Sequence, residues 1–130
     1  DFTINAIYCD KFGKIFDPLS GINDLKNIIA NTLTTSTTTA NQVAMLYSST
    51  TYRTSKVLLQ ITSGTSYQSS ELLVTHDGTN TYMTQYADIY TAGSSLGTFD
   101  ASISAGNLNL LFTPTNATTN VNWVRTGIAV

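Results

Sequence analysis

From residue 40 onward the apolar residues recur at every second position and turn signals follow at short intervals, and this period of two limits the chain more than any other feature. Val43, Met45 and Tyr47 alternate with polar or small residues, and Val57, Leu59 and Ile61 alternate against Lys56, Leu58 and Gln60. Both runs predict strands with one face toward a core. A run from Glu71 to His76 enters Asp77-Gly78-Thr79-Asn80 and returns through Tyr82 to Tyr90. That predicts a hairpin, with Asp-Gly supplying the positive-φ positions of its turn. Phe99, Ala101 and Ile103 alternate before Ala105-Gly106-Asn107 turns the chain into Leu108, Leu110 and Phe112, a second hairpin. A last strand is predicted around Val121, Trp123 and Arg125. Seven or so short strands with Gly, Asn, Ser and Thr turns predict an all-β fold, an antiparallel β-sandwich of the jelly-roll or immunoglobulin-like kind. The absence of a repeat at fixed period argues against a propeller or solenoid.

The first forty residues differ in character. Residues 32–39 are a charge-free, hydroxyl-rich tract, readable as a solvated linker or an edge strand. Before it, Asp17-Pro18 suits a helix start, with Ser20 as a competing cap. Ile22, Leu25, Ile28 and Ile29 then recur at three- and four-residue spacing, which predicts one stripe of a short helix ending near Asn31. The expected division is therefore residues 1–39, an amino-terminal arm and Thr-rich connection, and 40–130, a β-sandwich domain. The stripe needs a surface to cover, so these four residues are the candidates for docking the arm on a neighbour.

Composition removes whole classes of function. Lys and Arg number 6 and Asp and Glu 8, for a formal net charge of −2, so no basic footprint exists for phosphate backbones or anionic lipid. No stretch approaches the ~18 consecutive apolar residues of a membrane span. Nucleic acid and membrane insertion are excluded as expectations. One His (His76) and one Cys (Cys9) cannot build a His/Cys zinc cluster or an intrachain disulfide. The Asp77–Asn80 turn offers oxygen ligands but lacks the acid density of a calcium loop. Phosphate-binding glycine loops and the dinucleotide fingerprint are missing, so no cofactor is expected.

For catalysis, His76 beside Asp77 with a serine, a Cys9–His76 pair, and Glu71 facing Asp88 across the hairpin were each weighed, and no local signature supports any of them. The expectation is a protein without catalytic residues. Tyr82, Tyr86 and Tyr90 at i, i+4 and i+8 of one strand are predicted to point the same way. Such a row suits a core, a subunit interface or sugar stacking. Since only 11% of residues are charged, few ions would need desolvating at a buried contact, and a homo-oligomer is expected. Asn116-Ala117-Thr118 matches a glycosylation acceptor and marks an exposed stretch.

Several pieces carry a resemblance in their order and spacing. These are Thr51-Tyr52-Arg53-Thr54-Ser55-Lys56, Tyr67 through Thr79, Tyr86 through Ile89, Leu96-Gly97-Thr98-Phe99-Asp100-Ala101, and Val124-Arg125-Thr126. Over roughly the last 80 residues the chain resembles a β-rich domain of structural proteins of tailed phages of aquatic bacteria, cyanophages among them. The resemblance implies a non-enzymatic virion component on the particle surface, a tail fibre, appendage or capsid decoration, with no catalytic residue to carry over. Its implied partners are further copies of the chain, a trimer by analogy with fibres, and other virion proteins. The alternative is a carbohydrate-binding module for host surface polysaccharide, using the tyrosine row or the loops near Asn116. A hydrolase using Glu71, Asp88 or His76 ranks last.

Overall fold

A computed structural model describes residues 27–130, and among these the chain forms eight strands. They are β1 Ile28–Ser36, β2 Gln42–Ser48, β3 Tyr52–Ser63, β4 Ser66–His76, β5 Thr81–Tyr90, β6 Gly97–Ser104, β7 Asn107–Pro114 and β8 Thr118–Ala129. A five-stranded sheet has the order β1-β8-β3-β4-β5, and a three-stranded sheet the order β2-β7-β6. Every pairing is antiparallel.

The period of two places the core. Along β8 burial alternates residue by residue from Thr119 to Gly127, and β3 does the same from Ser55 to Ile61. Val57, Leu59, Ile61, Leu72, Val74, Val121 and Trp123 thus leave the large sheet on one side. They meet Met45, Tyr47, Leu108, Leu110 and Phe112 from the small sheet in a single cluster. The Trp123 indole N–H donates to the Ala44 carbonyl at 2.9 Å, tying β8 to β2 across the gap. The Ser55 hydroxyl donates to the Tyr47 hydroxyl at 2.8 Å and makes a second tie. Gly97 begins β6 where a Cβ would stand 2.3 Å from the Phe112 ring, so the ring takes the space that a side chain would need.

The connections follow local chemistry. Ala105 and Gly106, both at positive φ, form the two-residue turn between β6 and β7 that matches the strand twist. At the β4–β5 turn only Gly78 carries a positive φ. Asp77 acts instead through its carboxylate, which accepts the Thr79 and Asn80 N–H groups at 2.8 and 2.7 Å. That is an Asx turn in a four-residue loop.

Three expectations need correction. First, Ile28–Asn31 are strand, not the end of a helix: β1 pairs with β8 from Ile28↔Thr126 to Ser36↔Thr118. Pairing with β8 supplies backbone partners to a segment rich in Ile and Thr, residues that fit a pleated surface. Ile28 and Ile29 consequently point to opposite sides of β1, while Ile22 and Leu25 lie outside the described residues, as do Cys9, Asp17 and Pro18. Of the two readings of the hydroxyl-rich tract, the edge strand holds through Ser36, which lies on the amino-terminal side of the expected boundary at 39/40. Second, Val43 does not share a face with Met45. An irregularity between them makes Val43 oppose Leu111 and Met45 oppose Leu110, so Val43 is turned outward at Ala44. Third, the row of three tyrosines is broken, for a reason of the same kind.

Candidate functional site

The broken row lies on the outer face of the five-stranded sheet. Tyr82, Thr84 and Tyr86 oppose Thr75, Leu73 and Glu71 of β4 and face away from the core. Between Tyr86 and Ile89 the register shifts, with Ala87 at a φ of 57°. A bulge of one residue inverts every later side chain. Ile89 now opposes Ser69 on the outer face and Tyr90 opposes the buried Gln68, so Tyr90 leaves the face that holds Tyr82 and Tyr86. All three rings remain part-exposed or exposed, and none belongs to the core cluster.

What the face lost in Tyr90 it gains in aliphatic residues, of which Ile28 alone had been singled out, and for another role. Successive registers place Ala30, Val124, Leu58, Glu71 and Tyr86 in one row across five strands. The neighbouring row is Ile28, Thr126, Lys56, Leu73 and Thr84. Beyond it stand Ile128, Thr54, Thr75 and Tyr82. Ile28, Leu58, Leu73, Val124, Ile128, Tyr82 and Ile89 all stand exposed here, Leu58 at 53%. The charged side chains of these rows are Lys56 and Glu71, and they sit 3.7 Å apart. Elsewhere the face carries hydroxyls and amides; the Thr32 hydroxyl donates to Asn122 Oδ1 across β1 and β8. A shallow groove of about 550 Å³ runs over Ala30, Leu58, Gln60, Asn122 and Val124, and a second of about 410 Å³ lies between Leu73, Thr75 and Tyr82. The Tyr86 phenol titrates above its ordinary range, through partial desolvation first and the Glu71 carboxylate next.

The residues weighed for catalysis do not converge. His76 is 3% exposed and so is no surface residue. Its Nδ1 accepts the Gly78 N–H at 3.0 Å, its Nε2–H donates to the Tyr52 carbonyl at 2.7 Å, and Arg53 Nη1 donates to its carbonyl at 3.1 Å. These bonds brace the hairpin end. Glu71 and Asp88 do not face each other. Glu71 lies on the outer face, whereas the bulge turns Asp88 to accept from the buried Ser70 hydroxyl and from Gln85 Nε2. Among the described residues no three His, Cys, Asp or Glu side chains gather into a metal-sized cluster. No helix there is long and apolar enough to cross a membrane.

On the inner side stands Arg125, which alternation groups with Val121 and Trp123 but which was not among the candidate site residues. It is 2% exposed, with its guanidinium carbon 4.8 Å from the Tyr47 ring centre and 4.7 Å from that of Tyr52. Burial raises the Tyr47 phenol above its ordinary range, against the lowering pull of the Ser55 bond and of Arg125.

No family model matches the chain, and no curated protein does. Its fold is similar to part of a solved structure, the tailspike protein of Acinetobacter phage vB_ApiP_P1, with a TM-score of 0.50 and 22% identity over 78% of this chain and 22% of that one. Two further solved structures align. One is tailspike gp49 of Acinetobacter baumannii bacteriophage Fri1, described as a capsular polysaccharide depolymerase, at a TM-score of 0.42 and 20% identity over 82% of this chain and 18% of that one. The other is the tailspike of Acinetobacter baumannii phage AM24, at 0.41 and 7% over 83% and 27%. The chain thus spans about a fifth to a quarter of the tailspikes it aligns with. At these identities the likeness is one of fold.

Proposed function

We propose that this chain is a non-enzymatic structural domain of a phage tail appendage, displayed on the virion surface, which works by assembling with further copies of itself and with other virion proteins. The observation that carries this reading is the outer face of the five-stranded sheet, where, among the described residues, exposed Ile28, Leu58, Leu73, Val124 and Ile128 surround the Lys56–Glu71 ion pair. A continuous apolar face of this kind marks an interaction site. Burying it requires desolvation of very few charges. The fold likeness to part of a phage tailspike supports the location, and the separate structural duties of His76, Glu71 and Asp88 support the non-enzymatic part.

The test has two arms. Light scattering on the purified chain should show a homo-oligomer that Leu58→Glu and Leu73→Glu together convert to a folded monomer. Gold-labelled antibody against the domain should mark the tail ends of intact particles in electron micrographs. A wild-type chain that stays monomeric at high concentration overturns assembly through this face, and label confined to the head overturns the tail location. The amide-lined groove at Gln60 and Asn122 favours one second reading, binding of host polysaccharide. It predicts saturable binding by the isolated chain that Gln60→Ala weakens.

A further inference from the structure

The two sheets do not close on each other at the β1–β2 side. A cleft of about 300 Å³ opens there. Its rim carries exposed Ile29 and Leu46, its floor the buried Met45, Trp123 and Arg125, and Asn31 adds an amide. Arg125 belongs to the inward row of β8, between Ile29 of β1 and Val57 of β3. A guanidinium withdrawn from water this far is normally met by a carboxylate. Among the described residues none pairs with it, and its buried Nε has no hydrogen-bond partner. Tyr47 and Tyr52 hold the cation through their rings, which stand edge to face at 88°. Ring faces stabilise the charge but leave the in-plane N–H donors unanswered.

We propose that this cleft is a binding site for a small organic acid, with Arg125 meeting the carboxylate and the walls at Ile29, Leu46 and Trp123 covering an apolar body. The planar fork of arginine matches a carboxylate through two parallel hydrogen bonds, so the chemistry of the floor selects the head of the ligand. The volume lies at the lower end of ligand pockets, about 300–1,000 Å³, which suits a molecule of one ring or a short chain. Apolar walls with one charged group and one amide are the usual make-up of such pockets. Arg125, Ile29 and Met45 place the site on the inner side of the large sheet, while Asn31 and Trp123 also border the groove of the assembly face.

The test is a titration of the full chain, followed by nitrogen–proton NMR on the Trp123 indole and the arginine Nε–H resonances. Benzoate and butyrate are the probes, with benzamide, acetate and chloride as controls at constant ionic strength. Saturable shifts at Trp123 and Arg125 with benzoate, at least about tenfold weaker with benzamide, are expected for a site that reads the charge. Acetate should bind more weakly than butyrate. Arg125→Met should abolish saturation, and Asn31→Ala, at the exposed rim and outside the core, should weaken it about threefold. Arg125→Lys serves if the methionine variant does not fold: it keeps the charge, loses the fork and should weaken benzoate at least about fivefold. Equal response to benzoate and benzamide, or saturation unchanged in the folded Arg125 variants, overturns the proposal.

Discussion

Leu58 and Leu59 are consecutive residues of β3 and chemically identical, yet Leu59 is 2% exposed and Leu58 53%. The same contrast holds for Leu72 against Leu73 in β4 and for Trp123 against Val124 in β8. One side of the sheet meets a second sheet and becomes a core. The other carries much the same side chains and meets nothing among the described residues. Aliphatic character therefore does not separate stabilising positions from exposed ones in this chain; the partner does. The hydrophobic effect is proportional to area removed from water, so two leucines differ in energy only as far as their surroundings differ.

Paired substitutions sharpen that contrast. Leu59→Ala should destabilise the fold by about 2–5 kcal/mol in urea unfolding, since it removes a buried side chain and leaves a cavity. Gly97→Ala attacks the inner side from the opposite direction. The added methyl would stand 2.3 Å from the Phe112 ring and 2.8 Å from the Thr113 carbonyl, and a loss of about 1–3 kcal/mol is expected. Leu58→Ala in dilute solution should change stability by no more than about 0.5 kcal/mol, as an exposed substitution does. Equal losses at Leu58 and Leu59 would break the comparison and show that the outer face is already covered. The smallest effect belongs to the turn between β4 and β5. Asp77 titrates at about 2, below its ordinary 3.8, held down by the Asn80 and Thr79 N–H groups. A lowered value in the folded state means that the carboxylate supports the turn above pH 3.8 and loses that role as pH falls through about 2. Amide exchange at Thr79 and Asn80 should quicken over that window, and in Asp77→Asn it should not follow pH in the same way.

Alternation was enough to read most of the fold. The inward rows Val57-Leu59-Ile61 and Leu108-Leu110-Phe112, the turn at Ala105-Gly106 and the hairpin around Gly78 all follow from a period of two interrupted by residues that tolerate a turn. Two of the failures share one physical cause. A bulge adds a residue to one strand without a composition signal, so Val43 and Tyr90 take faces opposite to those their parity predicts. The end of the helix stripe failed differently: Ile28 and Ile29 satisfy a helical spacing, but β8 offered a ladder nine pairs long, and tertiary pairing outweighs local preference. Of the candidate site, Tyr82 and Tyr86 were legible. Leu58 falls by alternation on the side of Lys56 and Gln60, but nothing marked that side as a site, and Leu73 and Ile128 were not legible because an aliphatic residue in a strand is ordinarily assigned to a core. Arg125 shares the parity of Val121 and Trp123 and so falls on the inward row, but nothing in the alternation marked it as a site residue; the rings of Tyr47 and Tyr52 that make its inward place tolerable come from distant strands.

The row from Ala30 through Val124, Leu58 and Glu71 to Tyr86 draws its members from nearly the whole described chain. No stretch of nascent or unfolded polypeptide contains it, and no single hairpin does. It comes into being only when β1 and β8, far apart in sequence, have closed the sheet, which is the slowest class of contact to form. The face on which the proposed assembly rests is thus a product of the finished sheet: a chain that has not yet brought β1 onto β8 does not present it.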